Sequence, residues 1–188
     1  MRVNGGTGRG RRLKAPAGSC VRPTSDKVKQ ALFNILGERV VDALFLDLFA
    51  GAGGIGIEAL SRGAGRAVFV DASRASLLVV KQNIEETGFT ERSQAVLSKV
   101  ELFLKKTSGS YDIVYLDPPY ADEMQPLLEL IAGASILKTD SIVIAEHFKK
   151  QPSPASAGGL MLYREAKYGD TVLAFYKFRS RRQETVTL

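Results

Sequence analysis

A predicted strand, glycine-rich turn, helix and second strand between residues 43 and 71 constrain the fold more than any other stretch. Hydrophobic patterning places the three regular elements at 43–49, 57–62 and 66–70. The glycines of the turn let the backbone approach a ligand closely, and Asp71 comes twenty positions after Gly51. In α/β folds, a carboxylate at that place accepts hydrogen bonds from ribose hydroxyls. The segment therefore predicts an α/β fold with a nucleoside-cofactor site beside Gly51 and Asp71.

The spacing within this turn indicates which cofactor fits. A dinucleotide site carries G-x-G-x-x-G and aims a helix dipole at a pyrophosphate. Here the turn contains Asp47, Phe49, Gly51 and Gly53, with an acid inside the strand end. An anion at Asp47 repels a pyrophosphate but binds an ammonium group. The pattern therefore favours S-adenosylmethionine, which has an amino group, a sulfonium charge and no phosphate, over a nicotinamide dinucleotide.

A second motif follows the apolar run 113–116, which predicts a strand buried on both faces. Asp117 stands at its carboxyl end, and Pro118 and Pro119 then stop the strand because neither has an N–H to donate. The result is a stiff corner that carries a carboxylate, the Pro118 carbonyl and the ring of Tyr120. The alternative reading is a buried strand that ends in a polar turn.

This corner suits an exocyclic amino group of a nucleobase. Such a group has two N–H donors, and its lone pair is delocalised into the ring. The Asp117 carboxylate and the Pro118 carbonyl can each accept one N–H bond, which localises the lone pair for attack. Tyr120 can stack on the base. These residues are the predicted catalytic set: Asp117, Pro118, Pro119 and Tyr120.

Charge is unevenly distributed along the chain of 188 residues, whose formal net charge is +6. Residues 1–30 contain eight Lys or Arg against one acid, and residues 177–188 contain four against one. The glycine-rich segment 1–23 predicts a flexible or loosely hairpinned arm that orders only on a polyanion, and 179–188 predict a disordered basic tail. The predicted phosphate contacts are four arginines of the arm: Arg9, Arg11, Arg12 and Arg22.

Composition excludes several other classes. No apolar run reaches the length of about 20 residues that a membrane span needs, and no secretory signal is present. One cysteine, Cys20, cannot form an internal disulfide and fits a reducing cytoplasm. No Cys/His cluster has metal-ligand spacing, and His147 is the single histidine. We expect no metal and no Ser-His-Asp chemistry.

Five stretches carry a family resemblance. Residues 47–53 and 117–120 together resemble the paired signatures of amino-group methyltransferases. With the Gly-Arg-Gly-Arg-Arg arm at 8–12, the segment 22–36 and the segment 60–64, the chain resembles the bacterial 16S ribosomal RNA guanine-N2 methyltransferases, the small-subunit methyltransferase D family. The similarity runs from about residue 1 to 178.

The resemblance implies a class I, Rossmann-like methyltransferase fold: a seven-stranded, mostly parallel sheet with helices on both faces and a C-terminal antiparallel hairpin. The methyltransferase domain is expected at 24–178. The first helix starts at Thr24 or Ser25 and ends at Gly37. The remaining helices are predicted at 73–87, 99–106 and 122–134. The remaining strands are predicted at 93–97, 141–146, 160–164 and 171–178.

The resemblance also implies an activity: methyl transfer from S-adenosylmethionine to the exocyclic N2 of one guanine of 16S RNA, guanine 966 in the family. The transfer is direct and in line, to a flipped base, and S-adenosylhomocysteine is the product. The expected substrate is naked RNA or an assembling 30S subunit, a choice that the sequence leaves open, and we expect the enzyme to be cytoplasmic and a monomer. The implied cofactor contacts are Thr24, Asp47, Phe49, Gly51, Gly53, Asp71 and Ser98.

Two departures from the family pattern affect these contacts. Asp71 stands where family members often carry Glu, and Ser98 and Lys99 stand where related enzymes place an acid that contacts adenine. The Ser98 hydroxyl or a backbone N–H is expected to replace that acid.

Three rival functions stay open at this point. A DNA adenine-N6 or cytosine-N4 methyltransferase would use the same corner, an oxidoreductase would bind a nicotinamide dinucleotide, and an idle relative would only bind RNA.

Overall fold

A single eight-stranded sheet organises the computed structural model, which describes residues 1–15, 24–119 and 123–178. The strands are β1 Leu44–Leu48, β2 Arg66–Asp71, β3 Ser93–Leu97, β4 Tyr111–Leu116, β5 Leu137–Phe148, β6 Ser156–Ala157, β7 Leu160–Tyr168 and β8 Thr171–Phe178. The α-helices are α1 Asp26–Leu36, α2 Gly54–Ser61, α3 Arg74–Thr87, α4 Val100–Lys106 and α5 Met124–Gly133. Two 3₁₀ turns, Gly37–Val40 and Thr90–Arg92, were not predicted.

The strand order is β3-β2-β1-β4-β5-β8-β7-β6. The first five strands in this order are parallel, β8 is antiparallel to β5, and β7 pairs with β8 as a hairpin. The predicted mostly parallel sheet with a C-terminal antiparallel hairpin is confirmed. From β1, the strands are added outward on one side as β2 and β3 and on the other side as β4 and β5. The switch point therefore lies between β1 and β4, where open α/β sheets have the crevice that binds ligands.

The sheet has one strand more than the seven predicted. The extra strand is β6, a two-residue edge strand that pairs with the start of β7. Gly158 and Gly159 connect them with φ of 57° and 92°, as a tight hairpin turn requires. Two residues are too few to show a hydrophobic period, so the pattern could not predict this strand.

Two hydrophobic cores cover the faces of the sheet. Helices α1, α2 and α3 pack on one face and α4 and α5 on the other, as alternate side chains of each strand point to opposite sides. On β1, Phe45 enters the first core and Leu46 and Leu48 enter the second. Asp47 breaks this pattern, because a buried carboxylate occupies a position that would otherwise hold an apolar side chain.

Helix α1 forms as predicted. Ser25 caps it by accepting a hydrogen bond from the Val28 N–H, and Gly37 ends it with φ of 55°. Its apolar stripe buries Leu32 and Phe33 against the sheet. Burial of each such side chain stabilises the fold by roughly 1.5–3 kcal/mol.

The first fifteen residues are ordered against the domain, which corrects the expectation of an arm that orders only on RNA. Arg2 and Arg12 form an antiparallel bridge, and Val3 and Leu13 are buried in the first core. The Asn4 N–H donates to Glu58 on α2 at 2.7 Å. The apolar residues Val3 and Leu13 therefore anchor the arm. The sequence prediction missed them because glycine and arginine dominate this segment. The predicted tail at 179–188 lies outside the described residues.

Within the described ranges, no helix combines the length and the apolar character that crossing a membrane would require.

Candidate active site

The carboxyl ends of four neighbouring parallel strands bring acidic side chains to one edge of the sheet. Asp47 is on β1, Asp71 ends β2, Asp117 follows β4 and Glu146 is near the end of β5. The edge is where ligands bind in open α/β sheets. The structure therefore brings together the predicted cofactor acids and the predicted catalytic acid, and it adds Glu146.

The glycine turn after β1 curls around Asp71. The Gly51 N–H donates to Asp71 Oδ2 at 2.8 Å, and the Ser73 N–H donates to Oδ1 at 2.7 Å. Gly51 and Gly53 have φ of 57° and 78°, in the left-handed region that glycine adopts without strain. Phe49 also has positive φ, 61°, which costs about 1 kcal/mol or more for a bulky residue. The turn is thus preorganised before any ligand binds.

Asp47 lies beneath this turn and is fully buried. The Gly56 N–H at the start of α2 donates to its Oδ2 at 2.9 Å. Burial raises the pKa of Asp47 to about 8, and the nearby Asp71 charge adds to the increase, while the Gly56 hydrogen bond opposes it. An unpaired buried carboxylate of this kind is stabilised by a cation, so the site suits an ammonium or sulfonium group and disfavours a pyrophosphate.

Asn83 on α3 clamps the turn to the arm, a connection that sequence reasoning missed. Its amide nitrogen donates to Ala52 O at 2.9 Å and to Lys14 O at 3.0 Å. Its amide oxygen accepts from the Lys14 N–H at 2.8 Å. A buried Asn on an otherwise ordinary helix had no local signal, because its partners come from distant parts of the chain.

The Asp117 corner opens onto the same edge. Asp117 and Pro118 are partly exposed and Pro119 is exposed, while Tyr120 lies outside the described residues. Burial raises the pKa of Asp117 well above its ordinary value, and the charges of Glu146 and Asp47 raise it further. Asp117 is therefore neither sealed in the interior nor turned away from Asp47.

Next to Asp117, two hydroxyl groups hold Glu146. Tyr115 Oη donates to Glu146 Oε2, and Thr24 Oγ1 donates to the same oxygen at 3.2 Å. Burial raises the pKa of Glu146, and the two hydroxyl bonds oppose the increase. Burial also raises the pKa of Tyr115, and the Glu146 charge raises it further. Thr24 was predicted as a cofactor contact or as the helix cap; Ser25 is the cap, Thr24 donates to Glu146, and the cofactor contact of Thr24 stays a prediction.

Tyr115 was predicted as a core residue, and its ring is buried in the core. Its hydroxyl, however, belongs to the site. A signal for Glu146 existed in the sequence: it directly follows the apolar run 142–145, so it stands at a strand end as Asp117 does.

A recess of about 220 Å³ opens beside Asp117 and Glu146. It is lined by Thr24, Ser25, Asp117, Pro118, Glu146 and the Tyr168–Thr171 turn, among others. A larger recess of about 470 Å³ lies at the opposite edge, beside the Lys138–Asp112 ion pair. None of the predicted site residues lines that second recess, and ligands of parallel sheets bind at the carboxyl edge.

The remaining predicted residues have other surroundings. The Ser98 N–H donates to Asp71 O at 3.1 Å and its hydroxyl donates to Lys99 O at 2.9 Å, and its contact with the adenine edge stays a prediction. Three of the four predicted phosphate contacts, Arg9, Arg11 and Arg12 (hereafter the arm arginines), are exposed. Arg22 lies outside the described residues.

His147 is buried and bonded on both ring nitrogens, to Ser153 Oγ at 2.9 Å and Phe148 O at 3.0 Å, which indicates a structural role. Over the ranges that the structure describes, no three His, Cys, Asp or Glu side chains are grouped so as to hold a metal ion.

Comparison with known proteins places these features in context. The profile of the family described as "Conserved hypothetical protein 95" matches residues 1–177. The Bacillus subtilis protein YlbH is 40% identical over 183 residues, which cover 95% of this chain and 100% of YlbH. Ribosomal RNA small subunit methyltransferase D from Escherichia coli is 32% identical over 178 residues, 94% of this chain and 89% of that protein. Among solved structures, yhhF from Escherichia coli superposes with a TM-score of 0.85 at 31% identity, covering 96% of this chain and 99% of yhhF.

Proposed function

Because this chain belongs to the family described as conserved hypothetical protein 95, we propose that it methylates the exocyclic N2 of a guanine in 16S ribosomal RNA, with S-adenosylmethionine as the methyl donor. Its relatives include proteins named ribosomal RNA small subunit methyltransferase D. The observation that carries the proposal is the register of β1 with β4, which pairs Leu48 with Leu116 and so sets the start of the glycine turn beside the Asp117–Pro118 corner. The proposed substrate position is the family's guanine 966, and the proposed compartment is the cytoplasm.

The acids of the carboxyl edge fit the proposed donor. S-adenosylmethionine supplies a methyl group on a positively charged sulfur that leaves as a neutral thioether. Asp47, buried and without a cationic partner among the described residues, suits the ammonium group of that molecule. Asp71 faces the turn with hydrogen bonds already formed to Gly51 and Ser73, which fixes its carboxylate toward the ribose hydroxyls. Phe49, Gly51 and Gly53 shape the turn, and Ser98 holds the adjacent β2 end through Asp71 O.

The corner acts on the base. Asp117 and the Pro118 carbonyl each accept one N–H of the guanine amino group and hold its nitrogen in line with the methyl carbon. As the nitrogen–carbon bond forms and the carbon–sulfur bond breaks, the nitrogen becomes strongly acidic. It then sheds its proton, and the Asp117 carboxylate that accepts the N–H hydrogen bond is the nearest proposed acceptor. No base is needed before attack, and catalysis is mostly positioning and electrostatics.

The base must leave its stack to reach this corner. Tyr120 is the proposed stacking partner, and the arm arginines and Arg22 are the proposed phosphate contacts. Because such contacts release counterions, binding of the RNA should weaken steeply with salt.

The test is transfer of a labelled methyl group from S-adenosylmethionine to 16S RNA, and to 30S particles, from cells that lack this protein. Mass spectrometry should then find N2-methylguanosine at one position. Asp117→Ala should reduce kcat by roughly 10²–10³-fold, the usual loss for one aligned hydrogen-bonding group, while the affinity for S-adenosylhomocysteine stays within about twofold.

Asp140→Asn is the matched control, since Asp140 is exposed at the far end of β5. An Asp117→Ala enzyme with near wild-type turnover would refute the proposed role of the corner. Label in adenine or cytosine of DNA would refute the substrate, and thermal stabilisation by NAD but not by S-adenosylhomocysteine would refute the cofactor.

A further inference from the structure

We propose that Glu146 selects guanine over other bases by accepting the N1–H hydrogen bond of the base whose amino group Asp117 and Pro118 hold. This inference rests on the proposed function and extends it, because it assigns base specificity to a residue outside the Asp117–Tyr120 motif.

The sheet register places the two carboxylates side by side. On the parallel strands β4 and β5, Leu116 pairs with Ala145. Asp117 directly follows Leu116 and Glu146 directly follows Ala145, so this register sets their Cα atoms about 4.8 Å apart. They point to the same face of the sheet, and both line the recess of about 220 Å³.

Glu146 is oriented by the two hydroxyls beside it. Tyr115 and Thr24 both donate to Oε2, so that oxygen is occupied. Among the described residues, no other donor is found for this carboxylate, and Oε1 is left to accept from a group in the recess. The side chain is 7% exposed, so it is held in place and yet reachable from the recess.

The pattern of hydrogen bonding on the bases explains the selection. Guanine presents two adjacent donors on its pairing edge, the N2 amino group and N1–H, and two neighbouring carboxylates accept from both. Adenine carries an acceptor at N1, and cytosine an acceptor at N3, beside the amino group. Either would set a lone pair against a carboxylate in a poorly hydrated recess, which is strongly unfavourable.

The electrostatics of the pair agree with this geometry. Burial raises the pKa of both acids, and the Glu146 charge raises that of Asp117 further. Donors from guanine would relieve the repulsion between them, whereas a base with an acceptor there would not.

The test compares two bases that share the 2-amino group but differ at N1 and at C6, where 2-aminopurine lacks the oxo group of guanine; the Glu146 variants below separate the N1 contribution. 2-Aminopurine keeps the 2-amino group of guanine but has an acceptor at N1. After the modified position has been mapped, 16S RNA is assembled by ligation with guanine or 2-aminopurine at that position, and kcat/KM is measured for each. The wild type should prefer guanine by roughly 100-fold or more.

Two variants separate readout of N1–H from a general structural role. In Glu146→Gln, the amide oxygen can still accept from Tyr115 and Thr24, which leaves the amide N–H group facing the base. In Glu146→Leu, the side chain has a similar size and no hydrogen-bond acceptor, whichever way it is turned. Both should lower the guanine preference by roughly 100-fold, whereas Asp140→Asn should leave it unchanged. Circular dichroism and S-adenosylhomocysteine binding check that each variant is folded.

The outcomes distinguish this inference from the proposed function. A wild type that methylates neither RNA defeats the proposed function. A wild type that methylates both bases equally well defeats only the role of Glu146. The role of Glu146 is also defeated if both variants are folded and bind S-adenosylhomocysteine but lose activity on both bases. It is equally defeated if both variants keep the wild-type preference for guanine.

Discussion

Replacing Asp47 by Asn would remove a carboxylate that the fold keeps largely protonated at neutral pH. Asp47 is fully buried, and its pKa is raised to about 8. At pH 7 about one molecule in ten therefore carries the charge. If an ammonium group binds beside Asp47, binding requires the charged form and releases a proton. The Asn side chain keeps the shape and can still accept from the Gly56 N–H.

The magnitude follows from this pKa. Below pH 8, the affinity of the wild type for S-adenosylhomocysteine should rise about tenfold for each pH unit, and it should level off above pH 8. The Asp47→Asn variant should show no such rise and should bind roughly 10–100-fold more weakly at pH 8. Isothermal titration calorimetry from about pH 6 to above pH 8, in two buffers of different ionisation enthalpy, measures both the affinity and the proton release.

Stability should respond in a defined direction. Because the folded protein raises this pKa from 3.8 to about 8, it holds a proton that the unfolded chain has lost. The contribution is complete below about pH 4 and declines as the pH rises to about 8. The free energy of unfolding of the wild type relative to Asp47→Asn should thus fall over this range, by at most about 6 kcal/mol. Asp140→Asn is the control. An Asn variant whose binding still rises tenfold per pH unit would refute the reasoning.

Three further predictions concern the frame of the site. In urea unfolding, Gly56→Ala should lower the free energy of unfolding by about 2–3 kcal/mol, because an added Cβ would lie 2.3 Å from a Phe69 ring carbon. In the control Gly133→Ala, the added Cβ meets open space, so the free energy of unfolding should not fall. Equal losses in the two variants would contradict this prediction. Lys29→Met should lower the free energy of unfolding by about 2–3 kcal/mol, since the buried Glu58 loses an ion-pair partner at 3.5 Å. The double variant with Glu58→Gln should recover part of this stability. A Lys29→Met protein as stable as the wild type would disprove the pairing. Replacing the three arm arginines by Gln should reduce the slope of log affinity for 16S RNA against log salt by about 2, with S-adenosylhomocysteine affinity unchanged; an unaltered slope would remove the arm from the RNA interface.

Local chemistry made much of this molecule predictable. The strands β3 and β8 have the predicted bounds, and α1 ends at Gly37 as predicted. The glycine turn and the Asp117–Pro118 corner were predicted because glycine φ freedom and the missing proline N–H act within a few residues. Neither depends on what packs nearby.

Other features were mispredicted or missed because local signals conflicted with them. Strand β5 begins at Leu137 rather than at 141, since the polar residues 138–140 are exposed and hide its start. The arm was expected to be flexible or loosely hairpinned; the Arg2–Arg12 bridge agrees with the hairpin, and Val3 and Leu13 anchor it in the core. Two apolar residues among arginines do not form a period, although they suffice to dock a short segment.

By itself, the sequence determined the order of the α-helices and of the strands other than β6, the turn that ends β1 and the carboxylate that follows β4. Only the tertiary structure decided which strands are neighbours, and hence that Glu146 stands beside Asp117 and that Asn83 joins the arm to the glycine turn. The physical reason is that turn chemistry acts over a few residues, whereas a buried hydrogen bond between positions 31 or 69 residues apart exists only after the sheet and its helices have packed.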